Sequence, residues 1–87
     1  MKEIKINIPE YEDAIELVWE NNFKIKTSAR DDAIIIEANS DGLLSLARHL
    51  IHLSQKEVPH GSHFHLDEFN ALEDDSVELI VAKNENL

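Results

Sequence analysis

In EIKINI, near the start of the chain, Ile4, Ile6 and Ile8 alternate with Glu3, Lys5 and Asn7. A period of two puts the isoleucines on one side of an extended segment, so residues 3–8 are predicted as a strand with one buried face. Pro9 has no amide hydrogen for a ladder and ends it. From Glu10 the period changes. Tyr11, Ala14, Ile15, Val18 and Trp19 recur at helical spacing, and Glu10, Glu12 and Asp13 sit where a helix dipole favours acids, which predicts a helix over residues 10–21. Ile15, Leu17 and Trp19 also alternate, so a strand competes over the same residues.

FKIKTS alternates again, ARDD is a polar turn, and AIIIEA is a β-branched run; together they predict a hairpin. In SDGLLSLARHLIHLSQKE, Leu43, Leu46, Ala47, Leu50, Leu53 and Ser54 fall on one stripe that Leu44 and Ile51 widen. Asn39 or Ser40 supplies an N-cap, Asp41 suits the first turn, and Val58 and Pro59 lie just past the end. HFHL reads as a short strand, EFNALEDD as an irregular or helical link, and SVELIVAK as a last strand. The order β-α-β-β-α-β-β predicts an α+β two-layer sandwich: a mostly antiparallel sheet of about five strands with two helices on one face. Eighty-seven residues suffice for one domain, 1–87, because halves of that length would have cores too small to stand alone.

With Ile4, Ile6, Ile8, Ile34, Ile36, Phe64, Leu66, Val77, Leu79 and Val81 turned to the helices, alternation sends Lys5, Asn7, Ile35, Glu37, His63, His65, Glu78 and Ile80 to the open face. Ile35 and Ile80 on an otherwise polar face suggest partial cover by a partner or a second copy, although isolated exposed aliphatics also need no explanation.

Charge narrows the choice of partner. Eighteen acidic side chains against 8 basic ones give a net charge of −10. Such a surface repels phosphate backbones and anionic lipid, so neither nucleic acid nor membrane is an expected partner, and a basic protein is. No stretch approaches the roughly 18 apolar residues of a membrane span, and the first apolar run contains charges, which points to a cytoplasmic protein.

Candidate chemistry is sparse. There is no cysteine, so thiolate catalysis and thiolate metal sites are excluded. Ser62 adjoins His63 and Ser76 lies near Glu78 without a nucleophile elbow or oxyanion loop, and two glycines, Gly42 and Gly61, build no phosphate cradle. No enzyme activity and no cofactor are expected. His63 and His65 share a strand face about 6.7 Å apart and can converge on one zinc ion if Glu78 or Glu37 adds a third ligand. Asp67 would be about 13 Å from His63 along a continued strand, too far for the same ion. Two half-exposed side chains are the simpler account of the HxH pair. His49 and His52, three apart on the polar side of the second helix, read as solvated.

Gly42, Leu43, Leu46, Ala47, Leu50, Leu53, then Gly61, His63, His65, Leu66, Asp67, then Leu72, Ser76, Glu78, Leu79 and Ile80 form the pattern GL..LA..L..L, G.H.HLD, L...S.EL.I. Over about residues 33–82 this pattern resembles the thirty-second family of immunity proteins paired with bacterial polymorphic toxins. Its leucine part fits any amphipathic helix; G.H.HLD followed by S.EL.I is the more specific element. The resemblance implies a non-catalytic protein that neutralises a toxin made by the same cell by binding it. An acidic inhibitor suits a toxin with a basic surface. The expected contact surface is Glu37, His63, His65, Asp67 and Glu78 with Ile35 and Ile80. The alternatives are a small metal-binding domain built on His63 and His65, and a homodimer formed by apposing the open faces.

Overall fold

The computed structural model describes all residues, 1–87, and contains one helix and two separate two-stranded sheets. β1 (Ile25–Arg30) and β2 (Ala33–Ala38) form an antiparallel hairpin, α1 (Ser40–Ser54) follows, and β3 (His63–Leu66) pairs antiparallel with β4 (Leu79–Ala82). The expected sandwich of five strands and two helices is therefore not formed. The predicted hairpin, second helix and HFHL strand are.

The difference lies in the first 24 residues, which form neither the strand over 3–8 nor the helix over 10–21. Asp13 has a positive φ of 69°, which ends any right-handed helix there. Past it, Ile15, Leu17 and Trp19 are half-buried while Glu16 and Val18 are exposed. The chain follows the competing period of two, extended but outside any ladder. The edge of β1 that a further strand would need is already taken. Glu73 donates its N–H to Ile25 O (2.9 Å) and Val77 its N–H to Thr27 O (3.2 Å). Residues 73–75, expected in the link, and Ser76 and Val77, expected to open the last strand, thus run against β1, and only from Leu79 does the chain pair with β3.

Local chemistry accounts for the elements that do form. The Arg30–Ala33 pair closes a two-residue turn in which Asp31 (φ 53°) and Asp32 (φ 63°) both take the left-handed conformation of a type I′ hairpin, which Asp tolerates better than most residues. Asn39 caps α1 by accepting the N–H of Gly42 (2.8 Å), and the same oxygen accepts the N–H of Lys24 (3.0 Å), so one side chain fixes the helix to the hairpin. Gly42 packs so closely on β1 that a Cβ there would collide with the Lys24 carbonyl oxygen. Past the helix, Lys83 Nζ donates to Gln55 O (2.7 Å) and Val58 O (2.8 Å), tying the end of β4 to the loop that follows α1.

The buried core is Ile25, Leu46, Leu53, Val58, Phe64, Leu66 and Leu72, with Trp19 and Phe23 stacked at its border (centroids 4.2 Å apart). Several residues expected inside are exposed. Ile4 never enters a sheet, and Ile34 and Ile36 share a side of the hairpin with Ile25 and Thr27 but stay exposed. Val77 also lies exposed.

The helix is turned over relative to its expected orientation. Of the predicted stripe only Leu46 and Leu53 are buried; Leu43, Leu44, Ala47, Leu50 and Ile51 face outward. The buried arc is Gly42, Ser45, Arg48, His49 and His52, and both histidines, expected in solvent, are fully buried. The reason is the backbone of the N-terminal segment. Lacking a ladder, its polar groups need partners, and the polar arc of α1 supplies them.

Candidate functional site

Of the side chains expected on one open face, β3–β4 carries His63, His65 and Ile80. Burial along His63–Leu66 alternates, with Phe64 and Leu66 in the core and His63 and His65 in solvent. The register sets His63 against Ala82 and His65 against Ile80, so Ile80 lies on this face and is exposed. One step further, Asp67 and Glu78 take up the same side.

A turn organises Asp67. Its Oδ1 accepts the N–H groups of Phe69 (2.9 Å) and Asn70 (3.1 Å), while Asn70 Oδ1 accepts the Asp67 N–H (2.8 Å) and Asn70 Nδ2 donates to His65 O (3.2 Å). With Oδ1 committed, Oδ2 is left 3.9 Å from His65 Nε2. His65, Asp67 and Glu78 each bring one ligand-type atom to within 4.8 Å of the others. That group of one imidazole and two carboxylates differs from the set expected from sequence. Asp67 belongs to it because its neighbour in the group is His65. His63 stands apart, with Nδ1 3.4 Å from Gly61 O. Chemically, the group can hold a divalent cation or attract a cationic side chain.

Glu37 and Ile35 lie on the other sheet, where Glu37 faces Lys26 and Ile35 faces Ser28 across the ladder. Glu37 is exposed and Ile35 half-buried.

A second polar cluster, not foreseen from the sequence, lies under α1. Ser45 Oγ accepts the Glu20 N–H (2.8 Å), Arg48 Nε donates to Asn7 O (3.0 Å), and Arg48 Nη1 pairs with Glu20 Oε2 (2.8 Å). His49 Nε2 lies 3.1 Å from Val18 O, His52 Nδ1 lies 2.7 Å from Pro9 O, and Gln55 Nε2 donates to the same oxygen (2.9 Å). His49 packs edge-on against Trp19 (centroids 4.3 Å), and its Nδ1 is buried with no partner. Burial, chiefly, holds its pKa below the ordinary 6.5; Arg48 and His52 add to this and the Val18 carbonyl opposes it. Five polar residues at positions 45, 48, 49, 52 and 55 were the available signal, a helical face as regular as the leucine one.

The matched sequence pattern spans these elements from β2 to β4. The family model described as Immunity protein 32 matches residues 33–84, more than half of the chain. The chain belongs to the Immunity protein 32 family. In this family member the match takes in α1 and the His65–Asp67–Glu78 group, while β1 and the N-terminal segment precede it. Comparison with curated proteins and with solved structures finds no match. No helix is long and apolar enough to cross a membrane.

Proposed function

We propose that the chain neutralises a cognate bacterial toxin by binding it directly, without catalysis, through the acidic face of β3–β4. Membership of the Immunity protein 32 family carries this reading. The net charge of −10 supports a basic partner, since opposite charge steers encounter and suppresses wrong partners. His65, Asp67 and Glu78 form the centre of the surface, with His63 and Ile80 beside them and Glu37 and Ile35 contributed by the other hairpin. Ile80 is the apolar anchor of this patch, and the carboxylates orient basic side chains around it.

The test is calorimetry with the product of the adjacent toxin gene. A stoichiometric complex is expected, and Glu78→Lys with Glu37→Lys slows its association and flattens its salt dependence. Absence of any complex at high micromolar concentration would remove the proposal.

The 4.8 Å grouping of His65, Asp67 and Glu78 favours one second reading, a divalent-cation site with these three ligands. Elemental analysis of untagged protein checks it. Less than a tenth of an equivalent of zinc, nickel or copper ends it.

A further inference from the structure

We propose that the outer face of α1 is a dimerisation surface, occupied by α1 of a second copy of this chain, antiparallel, with the two-fold axis passing Ala47. At about 100° per residue, Leu43, Leu44, Leu50 and Ile51 all lie within about 60° of Ala47 around the helix. These four are exposed by 55%, 36%, 45% and 43%, although leucine and isoleucine ordinarily face inward on a single packed helix. The opposite arc, Ser45, His49 and His52, is the one the fold buries. The rest of the chain shields this apolar arc only in part.

Three features select a second copy as the occupant. First, the arc is symmetric about its centre: positions 43 and 51, and 44 and 50, are equidistant from 47. An antiparallel partner therefore sets Leu43 against Ile51 and Leu44 against Leu50, twice over, as an isologous interface requires. Second, Leu43, Ala47, Leu50 and Ser54 follow the 4-3-4 spacing of a two-helix seam, and the small Ala47 at the crossing lets the axes approach toward the close end of the usual 8–10 Å range. Third, the arc carries no charge. The only charged residues of α1 are Asp41, in its first turn, and Arg48, which is buried against Glu20. Two chains of −10 each repel one another most weakly where a neutral face meets a neutral face. A basic toxin, in contrast, is drawn to the acidic faces and away from this one. A shallow hollow lined by Leu50, Leu53, Ser54, Lys83 and Glu85 flanks one end of the arc, where the partner's Leu44 arrives.

Four helical turns form a small interface, so the dimer is weak and concentration-dependent. Sedimentation from about 10 μM to about 1 mM brackets that range. Wild-type protein is expected to pass from monomer to dimer and to associate more strongly at high salt, the opposite of a charge-steered toxin complex. Leu50→Glu and Ala47→Glu, both at exposed positions, should keep the wild-type circular dichroism spectrum and stay monomeric throughout. Leu44→Lys mixed with Leu50→Glu should form a heterodimer tighter than either variant alone forms with itself, because residues 44 and 50 meet only in the antiparallel register. The inference is overturned if wild type stays monomeric at about 1 mM, if the glutamates leave a dimer intact, or if the mixture gains nothing. A monomeric wild type whose toxin binding is lost in Leu50→Glu would assign this arc to the toxin instead.

Discussion

His52 Nε2 accepts the backbone N–H of Glu16 at 3.0 Å, an interaction between α1 and a segment 36 residues earlier that has no secondary structure of its own. Because Nε2 must offer a lone pair to that N–H, the ring hydrogen sits on Nδ1, which donates to Pro9 O at 2.7 Å. One fully buried imidazole therefore bridges two backbone groups seven residues apart. His52→Leu keeps the volume but leaves the Glu16 N–H unpaired, while Pro9 O keeps the Gln55 amide; one buried orphan costs about 1–3 kcal/mol. Chemical denaturation should show a loss of about 1 kcal/mol or more. Hydrogen exchange should localise it to residues 9–20. A variant as stable as wild type would mean that water replaces the ring at no cost.

His49 makes stability depend on pH. Its folded pKa lies below 6.5, mainly because burial disfavours the charged ring, and Arg48 and His52 beside it act in the same direction. Between that lowered value and 6.5 the unfolded chain binds more protons than the folded one, so stability is complete above about pH 6.5 and falls as pH drops through the window. For a single proton the slope reaches at most about 1.4 kcal/mol per pH unit. Urea midpoints measured across that window should decline with acidity, and His49→Phe, which keeps an aromatic ring beside Trp19, should remove this share of the slope. An unchanged slope in the variant would assign the acid sensitivity elsewhere.

How much of this was legible in the sequence depends on where each backbone segment finds its hydrogen bonds. The β1–β2 hairpin and α1 are self-contained: turn chemistry at Asp31–Asp32 and the Asn39 cap each specify the element locally, and each formed as expected; HFHL alternates strictly and formed against Leu79–Ala82. The N-terminal segment is not self-contained. EIKINI has the alternation of a strand, but periodicity does not reveal whether a free sheet edge exists, and residues 73–77 occupy the one that was needed. Likewise hydropathy alone turns the leucines of α1 inward, as the more apolar face. The demand of residues 7–20 for polar partners outweighed that preference, and no feature local to the helix announced it. On the open face, alternation placed His63, His65 and Ile80 correctly. The Asp67 contribution depended on a turn whose geometry a straight-strand extrapolation misses.

Gly42 is a position where the fold requires the absence of a side chain. A methyl group would meet the Lys24 carbonyl oxygen and crowd both Ala38 and Ile25, and two of these neighbours are anchored by the Asn39 cap and the core. Alanine is ordinarily the better helix former by about 1 kcal/mol, so helix propensity alone predicts that Gly42→Ala stabilises. Overpacking against backbone costs more, typically about 1–3 kcal/mol. The net expectation is a lower melting temperature for Gly42→Ala. An increase would show that α1 can shift away from β1 without loss.

The two hairpins are joined along one short seam, and Ser76 is its centre. Thr27 is buried in β1; it donates its N–H to Ser76 Oγ (3.1 Å) and its hydroxyl to Val77 O, and its carbonyl accepts the Val77 N–H (3.2 Å). A serine hydroxyl thus stands where a ladder carbonyl would be, which lets the chain leave β1 at Val77 and pair with β3 from Leu79. Ser76→Ala orphans a buried N–H and should cost about 1–2 kcal/mol. Thr27→Val, nearly isosteric, orphans the Val77 carbonyl and should cost a similar amount. Because both changes release the same few residues, the double variant should lose less than the sum of the two, with a coupling of about 0.5 kcal/mol or more. Strict additivity in denaturant titrations would mean that the hairpins are held together by the core alone and that the seam is incidental.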